Sequence, residues 1–250
     1  MFELHGRTAL VAGASRGIGL AIARGLAQAG ARTILAGRSI DRLAAEAEQL
    51  RAGGAQAEAL QLDVTRSGEA TALPAADILI NVAGTNIRKP FEQYTPEEYE
   101  QIMRTNLHGL AALTQKIGAD MIARGRGGKI VFIGSLTSVV GLPWISIYAM
   151  TKSAIAGLTR TLAVEWGRYG IQVNCIAPGF ILTDLNRTMW EPLVMKDWLA
   201  GVQSIPRLGT PEDIAPLAVF LSGRGSDYIT GQVIAVDGGY STTGNWPFAP

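Results

Sequence analysis

Seven short apolar runs, rich in Val, Ile and Leu, punctuate the chain at 8–12, 33–36, 57–62, 78–82, 129–133, 171–176 and 232–236. They lack the polar alternation of a half-exposed strand, so each predicts a strand buried on both faces. Between them lie longer stretches, 18–29, 40–52, 97–123, 147–168 and 211–222, in which apolar residues return every three or four positions, the pattern of amphipathic helices. Strands alternating with helices predict a parallel sheet with helices on both faces. The expected architecture is one doubly wound α/β domain of seven strands spanning 1–250. Its third crossover, 65–76, contains Gly68 and Pro74 and leaves room for little more than one helical turn. The stretch 182–209 breaks the rhythm, and Met189, Trp190, Leu193, Met195 and Trp198 give it the composition of an apolar flap over a site. In the tail, 241–250, Trp246 and Phe248 either cover a neighbouring subunit's pocket or trail in solvent.

Composition narrows the function classes. A hydrophobic share of 48% over 250 residues suits a chain that buries a large core. Its 22 basic and 21 acidic residues leave a formal charge of +1, with no excess field to hold nucleic acid. No apolar run reaches the ~18 residues of a membrane span, and the opening has no leader-like run, so a cytoplasmic protein is expected. Cys175 is the only cysteine, which excludes an internal disulfide. With only His5 and His108 beside it, a tetrahedral zinc site is not expected, and zinc-dependent alcohol oxidation is disfavoured. Charged residues make up 17%, below the usual share of about a quarter. The uncharged surface this implies favours a homo-oligomer.

Candidate chemistry begins after the first strand. Gly13, Ser15, Arg16, Gly17, Ile18 and Gly19 open the first helix, where small residues let the backbone approach a pyrophosphate and the helix N-terminus favours its charge. The spacing is G-x-x-x-G-x-G, which also suits a tight turn with no ligand. Tyr148 and Lys152 stand four apart at the start of a helical pattern, which places a phenol and an ammonium on one face. A phenol titrates near 10, so acid–base work at neutral pH needs a neighbouring positive charge that favours the phenolate. An exposed helix face carrying an ordinary Tyr and Lys is the plain alternative. Ser135 changes the balance, because it ends the apolar strand KIVFIG at the carboxyl edge of the sheet, where ligands of such folds bind.

The order of these elements resembles the short-chain dehydrogenase/reductase family across 7–239. The family's TGxxxGxG element reads Ala12-Gly13-Ala14-Ser15-Arg16-Gly17-Ile18-Gly19, and its NNAG element reads Asn81-Val82-Ala83-Gly84. Asn106, Ser135, Tyr148 with Lys152, and Pro178-Gly179 followed by Ile181 and Thr183 come next in order. Ala12 and Val82 depart from the pattern, at positions that mainly support the backbone. The resemblance implies a Rossmann domain and an enzyme acting on CH–OH and C=O groups. It implies Tyr148 as general acid and base, Ser135 as holder of the reacting oxygen, and Lys152 as partner of the phenol and of the nicotinamide ribose. Asn106 is implied to kink its helix and hold a water in the proton relay, although a plain helical bend beside Gly109 also fits. Asp63 and Val64 are implied to bracket the adenine, and Asn81, Ala83 and Gly84 the ribose side. An Asx turn and a close strand–helix contact are their structural alternatives. The loop from Pro178 to Thr183 is implied to fix the nicotinamide carboxamide. Cys175 lies within an apolar strand and reads as packing.

Cofactor choice follows from the end of the second strand, Leu35-Ala36-Gly37-Arg38-Ser39, which has no carboxylate for a ribose 2′-hydroxyl. Arg38 and Arg16 offer a 2′-phosphate two cations, so NADP(H) is expected over NAD(H). Asp41 falls inside the following helix and suits its dipole. Candidate substrate walls are Arg88, Ser135, Trp144, Phe180 and Trp190. The stretch AGTNIRKP and the flap resemble sugar-acid reductases of the family, the gluconate 5-dehydrogenase-like members, which implies carbohydrate metabolism. Arg88 then pairs with a substrate carboxylate or remains a solvated loop cation. Two other functions compete. A 3-oxoacyl thioester reductase needs a basic surface for an acidic acyl carrier protein, for which Arg124, Arg126 and Lys129 are candidates, and a catalytically silent nucleotide sensor predicts loss of Tyr148, Lys152 or Ser135. The family habit implies a homotetramer built through the helices near 97–123 and 147–168.

Overall fold

The computed structural model describes residues 2–69, 73–184 and 186–243. The tail with Trp246 and Phe248 lies outside them. Seven parallel strands form one sheet in the order β3-β2-β1-β4-β5-β6-β7. They are β1 (Thr8–Ala12), β2 (Arg32–Gly37), β3 (Ala57–Gln61), β4 (Ile78–Asn81), β5 (Gly128–Ile133), β6 (Ile171–Pro178) and β7 (Val233–Val236). The strand order reverses between β1 and β4, so the two crossovers leave in opposite directions and open a crevice above the carboxyl ends of these strands.

Strand side chains alternate between two cores, as the pleat requires. Val11, Leu35, Ile80 and Val131 join one cluster with Ile22, Leu26 and Ile214. Their neighbours Leu10, Ile34, Leu79 and Ile130 join the other with Leu113, Ile117 and Ile155. The first face is covered by α1 (Gly17–Gln28), α2 (Ile40–Ala52) and α8 (Pro211–Ser222), and the second by α4 (Gly109–Arg124) and α5 (Ser146–Trp166). The expected doubly wound Rossmann architecture is the one observed.

One element differs from the periodicity reading. The pattern over 97–123 predicts one helix, but the chain forms α3 (Pro96–Met103), a π turn over Arg104–His108, and then α4. A capping box between Thr95 and Glu98 with Pro96 in the first turn starts α3. In the π turn the Gly109 N–H bonds the Arg104 carbonyl, five residues back. Apolar spacing hardly changes across one inserted residue, which is why the pattern ran straight through. The segment 182–209, where the rhythm breaks, is built from α6 (Arg187–Trp190) and α7 (Leu193–Val202). The short crossover after β3 is a 3-10 turn over Val64–Glu69. Among the described residues no helix is long and apolar enough to cross a membrane.

Candidate active site

Loops at the carboxyl edge of the sheet bring distant residues together. Just after β5, Ser135 adopts an extended backbone, and its Oγ accepts the Thr137 N–H at 3.1 Å. That bond starts a short turn and holds the hydroxyl at the strand end. The first turns of α5 carry Tyr148 and Lys152. Lys152 is 3% exposed, its Nζ donates to the Ile133 carbonyl at 2.7 Å, and it lies 5.5 Å from the centre of the Tyr148 ring. An ammonium has three donors. The Ile133 carbonyl ties one of them to the end of β5, and the ammonium stays beside the Tyr148 ring.

Asn106 sits in the π turn and is fully buried. Its Oδ1 accepts the Thr85 N–H at 2.7 Å, while Nδ2 donates to the Thr85 carbonyl at 2.8 Å and to Thr151 Oγ1 at 3.3 Å. Thr151 Oγ1 in turn donates to the Tyr148 carbonyl at 2.7 Å. One amide therefore clamps the loop after β4 to the helix that carries the phenol. Sequence reasoning missed Thr85 and Thr151, although Thr151 stands between the two singled-out residues of YAMTK.

The glycine-rich loop abuts the same place. Gly13 has φ +100°, and a Cβ there would lie 2.6 Å from the Ala83 nitrogen; only a glycine lets these two backbones approach so closely. At Gly84 an added Cβ would stand 3.5 Å from Asn106 Oδ1 and 3.7 Å from Lys152 Nζ, so this exposed backbone faces the buried Asn106 and Lys152 side chains. Gly17 lies against Thr183, whose Cγ2 would be 3.5 Å from a Cβ there. Gly19 closes onto the Gly13 carbonyl, and Ile18 packs on the core. At the N-terminus of α1, Arg16 is extended and no side chain caps the first turn. The chain's own residues thus leave the helix N-terminus, the half-buried Ser15 and the Gly84 backbone open to a dinucleotide phosphate and ribose.

Other candidates divide. Arg38 and Ser39 are exposed just after β2, and Arg16 is exposed at the N-terminus of α1. The Asp63 carboxylate accepts from the Thr65 N–H at 2.9 Å and hydroxyl at 2.8 Å, an Asx turn. Burial pushes its pKa up as the largest single cause, but the Thr65 bonds and the charges of Arg38 and Arg66 outweigh it and hold the group below the usual carboxylate range. Val64 is buried. Asn81 is fully buried, with Nδ2 on Thr114 Oγ1 at 2.9 Å and Oδ1 without a partner among the described residues. Its amide positions the strand end, and the backbone of Ala83 and Gly84 faces the site. Pro178 ends β6, Gly179 packs on Asp237, and Ile181 is buried and bridged to Gly209. The Thr183 N–H donates to Asn186 Oδ1 at 2.8 Å.

The proposed substrate wall is an aromatic cluster. Phe180 makes edge contacts with Trp190 and Trp198, both at 5.4 Å, and with Tyr240 at 4.9 Å. Tyr240 was missed, since nothing in the sequence around it marks it. Trp190 is 3% exposed and packs its ring against Phe180, whereas Trp144 is exposed at φ +64°. Arg88 is exposed, and its guanidinium touches the Met189 sulfur of the 182–209 segment. Cys175 is buried and its thiol is pushed up to about 11, chiefly by burial, so it is inert packing. Of the three cations expected at a carrier-docking surface, Arg124 is tied to Asp77 and Asp120, and Lys129 to Asp227. Only Arg126 of the three is left without an ion-pair partner among the described residues.

Known proteins resemble the chain over nearly its whole length. A family model described as enoyl-(acyl carrier protein) reductase matches residues 13–241. The chain is 39% identical to the gluconate 5-dehydrogenase of Gluconobacter oxydans, over 97% of this chain and 98% of the relative. It is 33% identical to the 5-keto-D-gluconate 5-reductase of Escherichia coli, over 96% and 97%. A gluconate 5-dehydrogenase structure from Burkholderia cenocepacia, in complex with NADP and tartrate, superimposes with a TM-score of 0.92 at 38% identity, covering 97% of this chain and 98% of that one.

Proposed function

The chain belongs to the short-chain dehydrogenase/reductase family, and from that premise we propose that this oxidoreductase interconverts a secondary alcohol and a ketone of a sugar-derived hydroxy acid, with NADP(H) as cofactor. The observation that carries the reading is the Lys152 ammonium 5.5 Å from the Tyr148 ring, at the edge of the sheet where Ser135 follows β5.

The bound cofactor supplies or accepts hydride at its nicotinamide ring. The chain's own residues manage the proton. In reduction the Tyr148 hydroxyl gives its proton to the carbonyl oxygen, and in oxidation the phenolate takes it back. Ser135 Oγ donates to the same oxygen and holds it against the phenol. The Lys152 ammonium lies beside the phenol ring, and its N–H groups not taken by Ile133 suit a ribose hydroxyl. Asn106 acts through position: by fixing Thr85 and Thr151 it sets the distance between the nucleotide loop and α5. Arg38, exposed just after β2, and Arg16, exposed at the N-terminus of α1, are two cations suited to a 2′-phosphate and support NADP(H) over NAD(H).

The relatives that act on gluconate and 5-keto-D-gluconate support a sugar-acid substrate, and Arg88 beside the 182–209 segment is the cation suited to its carboxylate. The test is a panel of gluconate, 5-keto-D-gluconate, neutral polyols and simple ketones with both cofactors, read by nicotinamide absorbance. Turnover of a sugar acid with NADP(H) is the expected result. Turnover of neutral compounds alone, or no discrimination between acid and neutral partners, overturns the substrate assignment.

A further inference from the structure

At the opposite edge of the sheet, where β1, β5 and β6 begin, the surface encloses a hollow of about 590 Å³. That volume falls in the range of small-molecule sites. Four basic side chains line it, Arg7, Arg126, Lys129 and Arg224, against two carboxylates, Glu3 and Asp227. Lys129 takes up Asp227 at 2.7 Å and also reaches Ser226 Oγ at 3.2 Å. Among the described residues Arg7, Arg126 and Arg224 form no ion pair. Burial pushes the Lys129 ammonium below the usual lysine range, and the Arg7 charge pushes it the same way against the pull of Asp227. Positive charge is thus gathered in a concave place and incompletely matched from within the chain.

We propose that this hollow binds a small oxygen dianion, the chemistry shared by a phosphate monoester and a dicarboxylate. Guanidinium forks match both groups in pairs of parallel hydrogen bonds. The three arginines come from the entry to β1, the entry to β5 and the chain after α8, so one anion would tie three segments far apart in sequence. A ligand that binds only the folded chain raises its stability by mass action. The site lies across the sheet from Tyr148 and Ser135 and is independent of the catalytic reading.

The test titrates the full chain with sodium phosphate and with sodium succinate, each against sodium chloride at equal ionic strength, and reads the melting temperature and the calorimetric Kd. Phosphate, succinate or both should raise the melting temperature by several degrees at saturation; a response to one alone identifies the preferred anion. A double variant Arg126→Ala/Arg224→Ala removes two exposed side chains, and should weaken that Kd at least about tenfold with unchanged NADPH binding. Arg38→Asp should leave the response intact. The proposal is overturned if chloride does as well, if the double variant responds like the parent, or if Arg38→Asp or saturating NADP+ abolishes the response, since the ion then sits in the nucleotide site.

Discussion

Gly84→Ala separates the role of the site from the demands of the fold. The added methyl would meet Asn106 Oδ1 at 3.5 Å, Lys152 Nζ at 3.7 Å and Asn106 Cγ at 3.8 Å, all ordinary contacts. Gly84 does not have positive φ. The steric cost to the empty fold is therefore near zero, and the lost freedom of the unfolded chain offsets it by about 0.4–1 kcal/mol. Stability should stay within about 1 kcal/mol of the parent. Nucleotide binding should not. The methyl would stand in front of Lys152 and Asn106, where the proposed ribose approaches, and an overlap of this size costs about 1–3 kcal/mol, or roughly a tenfold to hundredfold rise in the NADPH Kd. Gly13→Ala is the contrast. Its φ of +100° costs about 1–2 kcal/mol for a residue with a Cβ, and contacts of 2.6 and 2.9 Å with the Ala83 backbone add about 1–3 kcal/mol of overpacking. The sum, about 2–5 kcal/mol, is a large part of an ordinary domain's stability. Urea unfolding followed by circular dichroism and fluorescence titration with NADPH read the two quantities. A Gly84→Ala variant that binds NADPH within twofold of the parent, or that loses more than about 2 kcal/mol of stability, refutes the placement.

Four further outcomes are expected. Tyr148→Phe keeps the ring and removes the proton, so kcat should fall at least a hundredfold with NADPH affinity within about threefold; turnover within tenfold of the parent would sink the assignment. Arg38→Asp should turn cofactor preference toward NAD(H), by removing a phosphate partner and offering a carboxylate to the 2′-hydroxyl, and a variant still strongly selective for NADPH contradicts it. Arg88→Ala should cost about 2–4 kcal/mol in kcat/KM on a keto acid and much less on its neutral amide, whereas equal losses on both return the substrate question to the aromatic wall. Asp77 accepts the Thr8 N–H at 3.0 Å and Arg124 Nη1 at 2.8 Å. Burial raises its pKa as the largest single cause, but these bonds with the Arg7 and Arg124 charges outweigh it and leave the pKa lowered. Because the folded value lies below the unfolded one, the stabilisation is present above about pH 4 and lost as pH falls through the folded value. Urea midpoints between pH 6 and 2 should drop less steeply for Asp77→Asn than for the parent, and identical acid limbs would argue against it.

Strand and helix identity were legible in the chain because they rest on local spacing. Leu10 beside Val11 and Leu79 beside Ile80 form continuous apolar runs, and the two cores receive them alternately, so an unbroken run signalled a strand covered on both faces. The glycine loop and the Tyr148–Lys152 pair were legible for the same reason, since one loop or one helical turn holds each set. What the chain could not disclose are relations across many residues. The π turn at Arg104–His108 shifts the backbone by one residue while the apolar stripe continues. Its purpose emerges only when Asn106 meets Thr85, 21 residues away, and Thr151, 45 residues away. Tyr240 likewise joins the wall only because β7 returns it beside Phe180 and Trp198. Arg124 and Lys129, two adjacent-looking surface cations in the sequence, turn out to be matched to carboxylates at Asp77 and Asp227. Periodicity, turn chemistry and charge order are properties of neighbouring residues and are set before the chain folds. Which donor faces which acceptor, and which cation remains unmatched, depends on the sheet order that brings distant segments together, and tertiary packing alone decides it.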